Sequence, residues 1–434
     1  MGRTSLLMVL AFNVIFALVG KNLGSISSQA YMNYRNYYYV AQSRFLTESV
    51  ANLVAGRMAA DTNTNPYFPT PSITDTLWGG SLTITRGYVR KYYNDYNEFT
   101  IVAKYPMTGP GIIDTTILDE TKTYFSQYAM YSINENGIYW KDGEVCNGPL
   151  YTQDRLNIDG SPIFNGLVTA VGGWTGDAGA NPIFNNNFLR GPAVFLPNDL
   201  SSILADATGG KLYTVDTYVD FNATDGKIYV RTGSYTGTQV AGSPFASIDA
   251  FVPNGDLVVQ GANLHIKGQI DGHITASAVR SGSSGGNVYI DSSITYKVPP
   301  LLTGGATNLL CDDLLGIVAD RDVIIDDNLA NPASLTINGS ILCRTGGLVA
   351  ENYDDTRRIG TLTLVGGLQQ FDRKGVGTFN SSTGAQVHGF AKNYSYDPRL
   401  QYEAPPSYPK MQRYRVLSWY DKVYWDQYYW DNNF

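Results

Sequence analysis

The stretch at residues 335–341, "LTINGSI", decides how this chain is read, because the phrase recurs. "LHIKGQI" stands at 264–270, "LTLVGGL" at 362–368 and "LNIDGSP" at 156–162. The pattern is apolar–x–apolar–x–Gly/Ser–x–apolar. Leu335 and Ile337 project to one face of a strand, a small residue turns the chain, and Ile341 opens the next side. "VYIDSSI" (288–294) fits the pattern, and "VIIDDNL" (323–329) fits loosely. The steps run from Leu264 to Val288, from Val288 to Leu335 and from Leu335 to Leu362, the middle one nearly twice the others. With the middle step counted as two turns, the period is roughly 24–27 residues, which marks coils that hide their apolar edges only by stacking.

This spacing predicts a mostly β chain. It has a long N-terminal α-helix, a small antiparallel sheet, then a parallel β-helix (β-solenoid) ectodomain with an inserted β-rich region. An ordinary β-sandwich, whose strands also alternate, is the competing reading. The expected solenoid core is Leu156, Ile158, Leu264, Ile266, Ile270, Val288, Ile290, Leu335, Ile337, Ile341, Leu362 and Leu364. The expected segments are a helix over 1–60, a small β region over 61–130, and a solenoid over 131–400 interrupted at about 171–250. An aromatic cap or tail follows over 401–434. Within the interruption, "LYTVDTYVDF" and "KIYVRTG" read as a hairpin across "NATDG". Just after the helix, "SLTITRGYVRKYY" and "NEFTIVAKYP" read as antiparallel strands.

Composition agrees with strands and tight turns. Gly 45 and Tyr 32 are high, while the charged fraction is only 16%. A net charge of −7 without a basic run argues against a nucleic-acid partner. The three cysteines, Cys146, Cys311 and Cys343, lack metal-ligand spacing. Cys311 and Cys343 can pair if neighbouring coils bring them together; three buried thiols is the other reading.

At the N-terminus, "TSLLMVLAFNVIFALVG" (4–20) is apolar and uncharged. It is slightly short of the roughly 20 residues of a bilayer span. The next proline is Pro66, and Tyr34, Tyr38, Ala41 and Phe45 keep helical spacing, continued by Leu46, Val50 and Leu53. The apolar segment therefore runs into an amphipathic helix of roughly 50–55 residues, about 80 Å long at 1.5 Å per residue. A cleaved signal peptide does not need that continuation; a single-pass anchor or an assembly helix does.

This segment resembles the N-terminal helix of type IV pilin-like proteins, of the minor-pilin kind. Gly2 followed by Arg3 stands where that family is processed, and "FLTESVANL" (45–53) is similar to its A-E-S-G-A-N-L phrase. A leader cut there would be two residues long, and Leu7 stands where the family has a glutamate. The resemblance implies an assembly helix whose packing residues include Leu6, Leu7, Val9, Leu10, Phe12, Ile15, Phe16 and Leu18. It extends to Tyr34, Tyr38, Ala41 and Phe45. "GIYWKDGEVCNGPLYTQDRLNIDGSPIFNG", "NYSYDPRLQYEAPPSYP" (393–409) and "YRVLSWYD" (414–421) are similar to a poorly characterised family of bacterial envelope proteins. Its members join a pilin-like helix to a β-solenoid, and it has no established catalytic residues to carry over.

Groups suited to catalysis are sparse along the same chain. Glycoside hydrolysis needs two carboxylates facing one groove. Asp312–Asp313, Asp326–Asp327 and Asp354–Asp355 are adjacent, so along a strand each pair sends one group to each face. The histidines offer no Gly-His-Gly phrase: His265 alternates with Leu264 and Ile266 and points outward, His273 follows a glycine, and His388 precedes one. "DFNATDG" (220–226) alternates oxygen ligands at Asp220, Asn222 and Thr224. Asp225 stands where an EF-hand wants glycine and Arg231 where it wants glutamate, so an Asx-rich turn is the simpler reading. The aromatic tail, Trp419, Tyr420, Tyr424, Trp425, Tyr428, Tyr429 and Trp430, suits an end cap or a subunit contact better than sugar stacking.

The expected function is a structural, non-enzymatic subunit of a pilus-like filament, with no cofactor and no metal. It would be membrane-inserted in a bacterial envelope before assembly, and would then stand on an extracellular filament or cell surface. Its partners would be copies of itself or related pilin-like subunits, the inner-membrane pilus assembly machinery, and other cells or surfaces. The alternatives are a secreted or membrane-anchored β-helix enzyme acting on polysaccharide, and an anchored adhesin that works alone.

Overall fold

The computed structural model describes residues 2–60, 72–91, 94–222, 225–233, 243–327, 334–355, 359–380 and 385–422. It is mostly strands with one long helix, and the chain divides into two compact units. One holds the N-terminal helix, the strands that follow it to residue 122, and the end of the last strand. The other is built from residues 123–411.

In the first unit, α1 (Gly2–Ala60) is a single helix of 59 residues, about 90 Å at 1.5 Å per residue. No proline interrupts it, and Arg57 in its last turn complements the helix dipole. Leu46, Val50, Ala51, Val54 and Met58 are buried. Their three- and four-residue steps make one helical face. Below them, β1 (Ser72–Leu77), β2 (Gly80–Lys91), β3 (Asn94–Tyr105), β4 (Ile112–Tyr124) and the C-terminal strand Lys410–Lys422 form a five-stranded sheet in that order. β1 runs antiparallel to β2, and β3 antiparallel to β4. Leu82 and Ile84 on β2 share a face with Phe99, Ile101 and Ala103 on β3, because strand side chains alternate. That face and the helix stripe make one apolar cluster.

The buried stripe differs from the expected one. Leu46 and Val50 of that stripe are buried, but Tyr34, Tyr38, Ala41, Phe45 and Leu53 are exposed, and the face turned inward adds Ser43 and Thr47. Two hydroxyls sit there at little cost because each is satisfied. Ser43 Oγ donates to the Val40 carbonyl at 3.0 Å, and Thr47 Oγ1 donates to Asp114 of β4 at 2.8 Å. Phe45 packs at the rim, stacked on Trp78 with ring centroids 5.4 Å apart.

The second unit is dominated by parallel pairs. Strand Met130–Asn134 pairs with Leu150–Thr152, which pairs with Val168–Ala170, which pairs with Phe188–Leu189. Two further parallel columns lie between these in the chain: Tyr139–Trp140, Leu156–Ile158 and Trp174–Gly176, then Val145–Cys146, Ile163–Phe164 and Ile183–Phe184. The registers Leu156↔Trp174 and Ile163↔Ile183 set a step shorter than the expected period. Trp140 meets Phe164 edge-on, and Phe164 stacks on Phe184 at 5.2 Å. Outside, Asn185 donates to Asn165 at 2.6 Å and Asn165 to Asn147 at 2.8 Å, an amide ladder just past the ends of that column's strands.

The region expected to be an insertion therefore carries ladder strands, both at 174–189 and at 211–222. Lys211–Tyr213 and Thr217–Asn222 pair in parallel with residues 257–259 and 264–268. The hairpin Thr217–Asn222 with Lys227–Thr232 is present and antiparallel. From there parallel pairs run Leu264↔Val288, Val288↔Val323 and Val323↔Leu348, with Leu335↔Leu362 beside them. The ladder then returns to the beginning: Leu368 pairs with Met130, so its last strands in sequence lie against its first.

A segment with little secondary structure of its own binds this unit across its strands. Asp397, Arg399, Pro406 and Tyr408 reach four different stretches of chain. Arg399 donates to the carbonyls of Cys311 at 2.7 Å and Asp313 at 3.1 Å while pairing with Asp397 at 2.7 Å. The Pro406 carbonyl accepts from Thr275. Tyr408 donates to Gln369 at 2.6 Å and accepts from Ser340 at 3.0 Å. Thr275, Gly316, Ser340 and Gly367 are successive parallel partners, so the segment crosses neighbouring strands of one sheet.

Candidate functional site

Residues 2–34 of α1 are exposed throughout, and packing on the sheet begins only near Tyr38 and Tyr39, whose rings meet Tyr105 of β3 edge-on at 5.9 and 5.7 Å. The expected assembly residues Leu6, Leu7, Val9, Leu10, Phe12, Ile15, Phe16 and Leu18 are all on the exposed stretch, as are Gly2 and Arg3. An 18-residue window of this helix has a mean hydropathy of 2.0 with none of it buried, so α1 is long and apolar enough to cross a membrane. The apolar surface continues past Lys21 through Leu23, Ile26, Tyr31, Met32, Tyr34 and Tyr37. That makes roughly 34 residues, or about 50 Å of helix, against a hydrocarbon core of about 30 Å.

The expected core residues Leu156, Ile158, Leu264, Ile266, Ile270 and Val288 are buried in one cluster with Ile290, Leu335, Ile337, Ile341, Leu362 and Leu364. The register explains the repeated phrase: Leu335 lies beside Leu362, Ile337 beside Leu364 and Ile341 beside Leu368. The Cys311–Cys343 pairing is absent, and all three thiols are free and buried. Cys343 ends a strand whose parallel partners are Ala319 and Gln370, whereas Cys311 sits in a loop whose carbonyl is held by Arg399. Burial pushes the Cys146 thiol up to about 11, so it is held protonated.

The candidate acids are spread out. Asp312 is exposed while Asp313 is buried, accepting from the Gly272 and Val298 amides at 2.7 and 3.2 Å; burial raises its pKa. Asp327 accepts from Asn352 at 2.8 Å, and Glu351 is pushed upward by burial and by Asp326. No group of three or more His, Cys, Asp or Glu able to hold a metal occurs among the described residues. His265 does point outward, but it is sandwiched between Tyr218 and Tyr289 at 4.3 and 4.5 Å and bonded to Asp291 at 2.9 Å. In the "DFNATDG" turn, Asp225 accepts from the Lys227 amide at 3.0 Å and the Tyr229 hydroxyl at 2.5 Å; Thr224 lies outside the described residues. Of the aromatic tail, Trp419 and Tyr420 are half-exposed on the C-terminal strand, and Tyr424, Trp425, Tyr428, Tyr429 and Trp430 lie outside the described residues.

No family model matches the chain, and no curated protein matches it. Among solved structures it is similar to the competence-associated pilin ComZ from Thermus thermophilus, at 11% identity. The match covers 82% of this chain and 87% of that chain, with a TM-score of 0.33. A score that low does not establish a shared fold.

Sequence reading overlooked the shorter repeat and the residues that bind the strands together. The signal for the first was legible: "SPIFNG" (161–166) and "NPIFNN" (181–186) share the letters P-I-F-N and supply two adjacent strands of one column. Arg399 and Tyr408 lie in "NYSYDPRLQYEAPPSYP" (393–409), but nothing local announces that they clasp distant strands.

Proposed function

We propose that this protein is a structural, non-catalytic subunit of an extracellular pilus-like filament. The exposed half of α1 packs in the fibre core against the helices of neighbouring copies. The parallel ladders of the second unit act as a β-solenoid, displayed outward for lateral or adhesive contacts. Before assembly the apolar segment waits in the cytoplasmic membrane.

The observation that carries this reading is the length of uncovered apolar helix. A bilayer accounts for about 30 Å of it, and the remaining turns, rich in Tyr31, Tyr34 and Tyr37, need a protein surface. Staggered helices of identical subunits supply one, and head-to-tail contacts that do not close generate a fibre. Low charge in the ectodomain is compatible with lateral packing.

The test is the intact mass and N-terminal sequence of the protein in filaments sheared from its native cells. Recovery with residues 4–20 retained supports assembly. Retention of the full chain in the membrane pellet supports a lone anchored adhesin, and a chain starting near residue 25 in the medium indicates a signal peptide.

A further inference from the structure

The two ends of the parallel ladder are finished differently. At one end Thr217–Asn222 is covered by Lys227–Thr232 and then by Ser243–Phe245, an antiparallel cap. At the other end, Trp174–Gly176 and Ile183–Phe184 are the edge strands of their three-stranded sheets. Phe188–Leu189, which follows them, has Val168–Ala170 as its registered partner among the described residues. Three short strands on successive sides of one turn of chain therefore end the ladder.

The backbone at this end points outward. Ile183 and Asn185 donate their amides to the carbonyls of Pro162 and Phe164, each at 2.9 Å. Alternate backbone groups of a strand face opposite neighbours, so the Phe184 amide and carbonyl face away from the ladder. Pro182 does not guard this edge. Pro162 holds the same place in the preceding turn, and it is paired there, accepting from Ile183.

The side chains are unfinished in the same way. Inside, Trp140 meets Phe164 and Phe164 stacks on Phe184, and this aromatic row ends at Phe184, which is only half-buried. Outside, Trp174, Ile183 and Leu189 are exposed. Asp177 is the one charged residue from 174 to 189. Edges left to water are usually blunted by charge or by a cover, and ladders of this kind need a cap at each end.

An extended peptide answers one such edge. Three edges on successive sides of a turn are answered together by another turn of the same dimensions, and a second copy of this chain carries one. A two-fold contact sets Phe184 opposite Phe184. Facing residues of an antiparallel pair exchange both N–H···O bonds, and here both outward groups belong to that one residue. The same contact lays the two phenyl rings side by side and lengthens the aromatic row.

We propose that the turn 174–189 is a self-association surface on which two copies of this chain meet end to end, Phe184 against Phe184. The contact uses no residue of α1, so it stands or falls separately from the filament reading.

The experiment follows the detergent-solubilised full chain by sedimentation over a wide concentration range, with hydrogen exchange of the Phe184 amide read in the same samples. A concentration-dependent dimer is expected, in which that amide exchanges about ten-fold or more slowly than in the monomer. Ile183→Lys combined with Asn185→Lys sets like charges directly opposite one another across the two-fold, and should weaken the dimer by about ten-fold or more. Phe16→Glu on α1 and deletion of residues 424–434 should leave the dimer and the protection intact. The proposal is overturned if exchange at Phe184 does not change with concentration, or if the doubly substituted chain folds and associates like the parent. Loss of the dimer in Phe16→Glu would assign it to the helix instead, and loss of protection on removing the tail would make the tail the cover; either result also overturns the proposal.

Discussion

Gly366 stands directly beside Gly339 in the parallel pair of strands, and a Cβ placed on Gly366 would fall 1.8 Å from the Gly339 carbonyl oxygen. Both residues have positive φ, 146° at Gly339 and 154° at Gly366. This contact accounts for the glycine in the repeated phrase. Each strand bends there while staying paired, so its first apolar residues face the core on one side and its last on the next. A side chain at the bend would strike the neighbouring strand.

Gly366→Ala should therefore destabilise the second unit by about 2–5 kcal/mol, adding backbone strain to a clash with a carbonyl that cannot rotate away. Gly56→Ala is the control. It sits on the exposed face of α1 with nothing within 4 Å of a Cβ, and it should stabilise by about 0.5–1 kcal/mol. Denaturant midpoints of the two variants decide the matter; a Gly366→Ala chain as stable as the parent would refute the packing described.

The two halves of α1 should respond oppositely to substitution. Leu46→Ala removes a buried side chain from the helix–sheet cluster and should cost about 2–5 kcal/mol. Phe16→Glu, on the exposed half, should leave the unfolding midpoint within about 0.5 kcal/mol of the parent. It should nonetheless remove the protein from sheared filaments and from the membrane fraction. If Phe16→Glu chains still assemble, the apolar helix is not the assembly surface.

Glu120 on β4 is buried, both carboxylate oxygens lack a hydrogen-bond partner among the described residues, and burial raises its pKa from 4.5 to about 7. The unfolded chain releases this proton near pH 4.5, while the folded chain keeps it to about pH 7. Folding stability should thus fall as pH rises between those values and level off above, by up to about 3 kcal/mol. Glu120→Gln should flatten that part of the profile and stabilise the protein above pH 7. A profile unchanged by the substitution would show that Glu120 ionises normally.

Tyr408 holds Ser340 and Gln369 together through one hydroxyl in a fully buried setting. Tyr408→Phe preserves the ring and removes both bonds, but Ser340 Oγ can still donate to Gln369 at 3.1 Å, so the cost should be about 0.5–1.5 kcal/mol. Limited proteolysis should then cut the segment around 397–409 sooner than in the parent. An unchanged midpoint and unchanged cleavage would mean that the segment is held by its other contacts.

Much of this was legible along the chain. The α1 helix, the strands β2 and β3, and the hairpin at 217–232 follow from local periodicity and turn residues. The extent of the ladders did not follow. The strands at 139–189 are two or three residues long, too short for alternation to show. Their step, fixed by Leu156↔Trp174 and Ile163↔Ile183, is also shorter than that of Leu264↔Val288 and Leu335↔Leu362. The helix stripe was misplaced for a related reason. Hydrophobicity pointed to Tyr34, Tyr38 and Phe45, whereas the sheet accepts Ser43 and Thr47 because their hydroxyls find partners.

The cavity lined by Trp140, Arg373 and Lys392 was not legible in the sequence. Trp140 stands near one end of the ladder's sequence, inside a family-like phrase, and Arg373 and Lys392 stand near the other, outside any. They meet because Leu368 pairs with Met130, which returns the end of the ladder to its start.

By itself, the sequence determined where the apolar helix lies, that strands repeat, and which residues must bend, since these depend on side-chain periodicity and on backbone conformations only glycine adopts cheaply. Tertiary structure alone decided which strand lies beside which, and so which charges are buried together. Parallel pairing joins residues by register rather than by nearness in the chain, and no local preference encodes that register.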